Sequence, residues 1–196
     1  MGLQIPTPEP DSWQLAPRSA TIGLVAARGF DLDQLALVAR AVTRSESLVS
    51  GHFRIPMLPC KQYPYEVVTL AELEPHERAP RALAHLVVYE RARPSGPEHL
   101  YRICLQDNVI LRRAQGELPA LLVYVLTHEL VHVVRFQRAE QSFTAPRRAR
   151  RREEDEVHRL TLELLDRAGE PRWARLEALY GNPVVPALVR GRERAT

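Results

Sequence analysis

The sequence predicts an α+β fold, with N-terminal strands and one early helix followed by a helical C-terminal part. Three short runs rich in Val, Leu, Ile and Tyr between residues 65 and 105 are separated by breaks containing Pro or Gly, as strands are. From Pro119 onward the apolar residues crowd into long segments with helical spacing. Strands first and helices after is the order of an α+β domain, not of alternating βα units. The chain has 196 residues, 45% hydrophobic and 26% charged, which suits one globular domain with a sizeable core. The expected organisation is an extended arm over residues 1–19 and a single domain over 20–196, strand-rich to about residue 115 and helical beyond it.

The arm is inferred from Pro6, Pro8, Pro10 and Pro17 in a stretch without periodicity. Thr21–Ala27 is a short apolar strand or buried segment. Asp31 can cap a helix running to about Val49, with Leu32, Leu35, Val38, Ala39 and Val42 on its inner face. Gly51–Pro64 holds three prolines and reads as loop. Strands are expected at Tyr65–Leu70, Leu83–Arg91 and Leu100–Leu105, the last two joined as a hairpin through Pro94–Ser95–Gly96–Pro97. Val109–Leu111 reads as a further short strand. Pro119 suits a first helical turn, and the helix it opens, to about Arg138, is apolar nearly all round, the mark of a core helix. A second helix starts near Arg147–Arg150 and runs to Arg167, with Gly169 as its stop. Pro171–Tyr180 is a third, and Pro186–Arg190 one more turn.

Composition narrows the function classes. The net charge is +3, carried almost wholly by arginine, with Lys61 the single lysine. That mild excess, with no aromatic residues interleaved in its basic runs, argues against a nucleic-acid partner. Cys60 and Cys104 stand far apart in no CxxC spacing and read as free buried thiols. No secretory signal, myristoylation pattern or apolar run of about 18–20 residues stands out, so the expectation is no membrane span and a cytoplasmic location.

The chemistry is concentrated in His128–Glu129–Leu130–Val131–His132. Residues i and i+4 share a helix face, so the two histidines can reach one metal ion. Glu129 lies about 100° further round the axis, beside the ion, where a carboxylate can take a proton from water. With 7 histidines in 196 residues, HExxH arises by accident in roughly 2% of such chains. Its place inside an apolar helix sharpens the signal, because buried polar groups need partners. A catalytic zinc usually has three protein ligands and one open position. Val157, Leu160, Thr161, Leu164 and Leu165 mark the inward face of the following helix, and one turn back that face reaches Glu153 and Glu154. Glu154 shares a face with His158, Thr161 and Leu165 and is the expected third ligand, with Glu153 the next choice.

HELVH followed by Glu154–Asp155–Glu156–Val157–His158 resembles the zincin metallopeptidases of the gluzincin type, which pair HExxH with Glu-x-x-x-Asp on the next helix. The likeness covers roughly residues 100–168 and departs from the family in placing His158 where it has Asp. It implies one Zn2+ per chain held by His128, His132 and Glu154, with Glu129 as general base, and a peptide or protein substrate. It also implies an upstream strand at the cleft edge, here Tyr101–Leu105, against which an extended peptide lies. His158 is either a residue that orients a zinc ligand or a further ligand, and Asp155 and Asp107 are other candidates for the orienting role. Tyr124, which shares the face of His128, and Tyr180 are candidates for stabilising an oxyanion.

Two other readings stay open. Glu129-x-x-His132 and Asp155-x-x-His158 also resemble halves of a carboxylate-bridged di-iron site. A zincin-like binding module without activity is the third. The basic run Arg147–Arg152 is either a solvated helix start or a docking place for an acidic partner. His52, His76, His85 and His99 have no paired spacing and read as structural.

Overall fold

The computed structural model describes residues 29–60, 62–91 and 98–169. The arm, the Thr21–Ala27 run, the Pro94–Pro97 turn, the helix expected at Pro171–Tyr180, the turn at Pro186–Arg190 and Tyr180 itself lie outside these residues. The fold is α+β, as expected: one helix, three strands, then three helices.

Helix α1 spans Leu32–Phe53. Its start is fixed reciprocally: Gln34 N donates to Asp31 Oδ1 at 2.8 Å and Asp31 N donates to Gln34 Oε1 at 3.0 Å. The helix runs a turn beyond Val49 and ends where Arg54 takes a left-handed conformation (φ 54°), so the loop expected from Gly51 begins later. Its buried stripe is Val38, Ala41, Val42, Ser45 and Val49. Leu32 and Ala39, expected inside, are exposed, because the stripe is centred one position on and contains a polar member. Ser45 Oγ donates to Val123 O at 3.1 Å and accepts from Thr127 Oγ1 at 3.0 Å. That small polar clasp holds α1 against the helix carrying the histidines.

Strands β1 (Tyr65–Val68), β2 (Ala84–Arg91) and β3 (Glu98–Leu105) form one mixed sheet in the order β1-β3-β2. β2 and β3 pair antiparallel, Leu86 opposite Ile103, as the expected hairpin does. β1 pairs parallel with β3, Val67 opposite Ile103. β3 is therefore the central strand, with both edges occupied. It cannot receive a further strand, which corrects the expectation that Tyr101–Leu105 forms the cleft edge. Among the described residues the outer strands are β1 and β2.

Alternation along the strands splits the sheet into two faces. Tyr65, Leu86, Tyr101, Ile103 and Leu105 join the main core with the helices. On the other face Val68, Val87 and Cys104 pack with Leu73 from the β1–β2 connection, which straps that face. Glu77, wholly buried at the end of a 3₁₀ turn (Pro75–Glu77), ties the strap down. It accepts from Tyr89 Oη at 2.5 Å and from Arg102 Nη1 at 3.0 Å. Burial alone would raise the Glu77 carboxyl, but Tyr89, the Glu74 amide and Arg102 hold it below the usual range. His85, opposite Cys104 in the ladder, is buried with neither ring nitrogen hydrogen-bonded. Both cysteines are free, Cys104 buried and Cys60 half-buried.

Val109–Leu111 is not a strand but part of α2 (Asp107–Arg113). A three-residue apolar run carries no period of its own, and here Val109 N and Ile110 N both donate to Gln106 O, closing helical turns. Asp107 also proves to be a clasp and not a partner of the metal ligands. Its carboxylate accepts from Phe30 N and Leu70 N, both at 3.1 Å, joining the entry to α1 and the exit of β1.

Helix α3 (Leu118–Gln137) lies in the core, packed against α1, α2, β2, β3 and α4. It is long and apolar enough to cross a bilayer by length and composition, although His128, Glu129, His132 and Arg135 interrupt its apolar run. Its burial against those neighbours explains that composition without a membrane. Helix α4 (Arg147–Arg167) follows, and Gly169 (φ 63°) stands just past its end. The stripe Val157, Leu160, Thr161, Leu164 and Leu165 is buried as expected.

Candidate metal centre

α3 and α4 bring His128, His132 and Glu154 together. The Nε2 atoms of the two histidines are 3.1 Å apart, and Glu154 Oε2 lies 3.5 Å from each. Two ligands about 2.0–2.1 Å from a tetrahedral zinc stand about 3.3 Å from each other, so this triangle has the dimensions of a metal-ligand face. The polar inventory points the same way. Both Glu154 carboxylate oxygens and the Nδ1 atoms of His128 and His132 are buried without a hydrogen-bond partner. Buried polar atoms are rarely left so, and the set of two imidazoles and one carboxylate suits a divalent cation. Zinc fits; the donor set alone does not exclude other transition metals.

Burial pulls the His128 imidazole down to about 4, which keeps it neutral and able to ligate. Burial acts the same way on His132, but Glu154, and then Glu129 and Glu153, outweigh it and raise its affinity for a proton. Glu154 is the complement: burial would raise its carboxyl, but the two imidazoles hold it down to about 2. Glu129, 3% exposed, is pushed by burial up to about 7, with His132 pulling it back and Glu154 adding to the rise. A carboxylate poised near neutrality can both accept and release a proton.

Glu153, the next choice for third ligand, takes a different place. It is more deeply buried than Glu154 yet is not in the triangle. Arg135 grips it in a two-pronged ion pair, Nε to Oε1 at 2.7 Å and Nη2 to Oε2 at 2.9 Å. The same Oε1 lies 3.8 Å from His132 Nδ1. Glu153 thus stands behind a ligand instead of being one. Arg135 was overlooked, although an arginine three residues after His132 in an apolar helix must find a buried acid. On the far side of His132 the Phe136 ring stacks at 5.5 Å, with Phe143 edge-on to Phe136.

Tyr124 and His158 form the other wall. Tyr124 Oη and His158 Nδ1 are 2.9 Å apart, and the Tyr124 and His128 ring centroids are 6.1 Å apart. His158 is half-buried and is not among the three converging ligands. Burial raises the Tyr124 phenol well above its ordinary value, so it stays protonated. Asp155 is exposed on the outer face of α4, away from the cluster. The Glu154 side chain is 19% exposed against 0–2% for the histidines, although both its carboxylate oxygens are buried.

No protein-family model, curated protein or solved structure matches the chain. The functional reading therefore rests on the site itself.

Proposed function

We propose that the protein is a zinc-dependent hydrolase, a small metallopeptidase that holds one ion through His128 Nε2, His132 Nε2 and Glu154. The observation that carries the reading is the triangle of 3.1, 3.5 and 3.5 Å between those three donors. Its resemblance partner, the HExxH-plus-Glu pattern, places a carboxylate beside the two histidines and supplies the base. When bound, zinc supplies Lewis acidity, bringing a water's pKa to about 7 and polarising a carbonyl.

The chain's own groups do the rest. Glu129 accepts the proton from the attacking water and returns it to the leaving amine nitrogen. Its near-neutral pKa serves both transfers. Tyr124 Oη and His158 Nδ1 share a hydrogen bond of 2.9 Å, and in the tautomer that carries its proton on Nε2, His158 would accept from Tyr124 and keep an N–H to offer the oxygen that gains charge. Glu153, held by Arg135, places a negative charge 3.8 Å from His132 Nδ1, which makes that imidazole more basic. An extended substrate would add to β2, which among the described residues is an outer strand of the sheet and packs on α3. The two free thiols fit a reducing, cytoplasmic setting.

The test combines metal analysis with one variant. The expected result is one zinc per chain and hydrolysis of a peptide library, with Glu129→Gln keeping the zinc and losing turnover. Undiminished hydrolysis by that variant would overturn the mechanism. Two irons per chain would favour the di-iron reading, and zinc without hydrolysis of any peptide would make the protein a binding module.

A further inference from the structure

Helix α4 opens with five arginines in six residues, and they are placed where a helix least favours them. Its first turn contains no acidic residue and no side chain caps it. The helix N-terminus carries the positive end of the backbone dipole and prefers anions. Arg147, Arg148, Arg151 and Arg152 are exposed. None of the four has an ion-pair partner among the described residues. Of the nearby acids, Glu153 and Glu140 are engaged with Arg135, and Glu156 and Glu163 with Arg159, while Asp155 is exposed one turn on and forms no ion pair with them. The helix thus concentrates uncompensated guanidinium groups that its own stability does not call for.

Two of them point along the line of the metal centre. At 3.6 residues per turn, Arg147, Arg151, Glu154 and His158 (i, i+4, i+7, i+11) fall within about 60° of arc, one stripe. Arg151 stands about 4.5 Å and Arg147 about 10.5 Å along the axis from Glu154. An extended peptide advances about 3.3 Å per residue, so a substrate bond held at the metal centre puts its neighbours, up to about four residues away, beside these guanidiniums. The stripe runs from Glu154, whose carboxylate oxygens are buried, outward to the exposed Arg151 and Arg147.

We propose that Arg147 and Arg151 form a carboxylate-binding subsite, and that the substrate is a peptide with Asp or Glu within about four residues of the bond cleaved. The proposal rests on the hydrolase reading above. Guanidinium forks bind carboxylates in two-pronged geometry. A nucleic acid fits less well, because no aromatic side chain interrupts residues 147–152 and Asp155 and Glu156 follow directly. An anionic membrane fits less well too. The exposed large apolar side chains among the described residues are Leu32 and Met57, neither on α4, so the patch has no apolar anchor.

The experiment uses the full-length zinc-loaded protein carrying Glu129→Gln, and pairs of fluorescent peptides identical except for Asp/Glu against Asn/Gln. Fluorescence anisotropy is expected to show at least tenfold tighter binding of the acidic member, weakening with salt. Adding Arg147→Gln and Arg151→Gln should erase that preference and leave zinc content and the affinity for the amide peptide unchanged. Equal binding of the two peptides, no binding of either, or a preference that survives both substitutions would overturn the subsite. So would tighter binding of a single-stranded oligonucleotide or of phosphatidylserine vesicles than of the acidic peptide. Cleavage by the parent enzyme separates the two layers. Equal cleavage of both peptides defeats the subsite alone, whereas selective binding without cleavage defeats the hydrolase and keeps the subsite.

Discussion

Replacing Glu153 with alanine removes both acceptors of the Arg135 guanidinium and the carboxylate behind His132 in one step. The Glu153 side chain is 2% exposed and that of Arg135 14%, so the pair is nearly out of water. Removing one partner of a buried ion pair costs about 3–5 kcal/mol. Arg135 keeps Glu140 at 2.8 Å, which favours the lower end, about 3 kcal/mol. For a chain of this length that lowers Tm by about 6–12 °C. The metal-free protein should show this loss in thermal or urea unfolding. Zinc titration should show a second effect, a roughly 10-fold weaker affinity, because the negative charge 3.8 Å from His132 Nδ1 is gone. Adding Arg135→Met should recover much of the stability, since no charge is then left unpaired, without restoring zinc affinity. Glu156→Ala, which breaks an exposed pair on the same helix, should change neither. Unaltered zinc affinity in a Glu153→Ala protein that does lose stability would refute the coupling to His132. Unaltered stability would refute the buried pair.

Three other outcomes follow from the same structure. Burial holds the His85 imidazole down to about 4 from 6.5, with the Glu77 charge opposing and His76 adding to the fall. The unfolded chain then binds the extra proton between those pH values. Stability should fall as pH drops from 6.5 to 4, by about 3 kcal/mol in all, and His85→Leu should flatten that slope in pH-dependent unfolding. Asp107→Ala strands the amides of Phe30 and Leu70 and should cost about 2–3 kcal/mol; loss of bound zinc in that variant would mean that Asp107 does act on the centre. Removing the metal with a chelator should lower Tm, and restoring zinc at 1,000 times its Kd should return about 4 kcal/mol, read by calorimetry; a Tm indifferent to zinc would refute binding at a folded site.

The helical half was legible because its signals are long. The 20-residue, mostly apolar helix opened by Pro119 and the stripe from Val157 to Leu165 each span several turns, enough to show a helical period. The strands were found for the same reason, but their order was not, since alternation tells which side faces the core and nothing about which strand is central. Val109–Leu111 failed because three residues fit either period. The face of α1 was misplaced because its buried stripe includes Ser45, whose partners Val123 and Thr127 lie about eighty residues away. At the site, the choice of Glu154 over Glu153 followed from its line-up with His158, Thr161 and Leu165, and the structure brings Glu154 to the histidines. The ion pair of Glu153 with Arg135 joins two helices, and no spacing within either one announces it.

The uneven apolar surface of α4 bears on how the protein moves. All of its buried apolar side chains lie from Val157 onward, in its later turns. Its first turns are fastened by two carboxylates, Glu153 to Arg135 and Glu154 to the histidines. An ion bound there would be a rivet at the end of the helix that carries no buried apolar side chain. Its departure would leave the Arg-bearing start of α4 held by the Glu153–Arg135 pair alone while α3 stays packed, so metal exchange and local opening would become a single event, distinct from global unfolding.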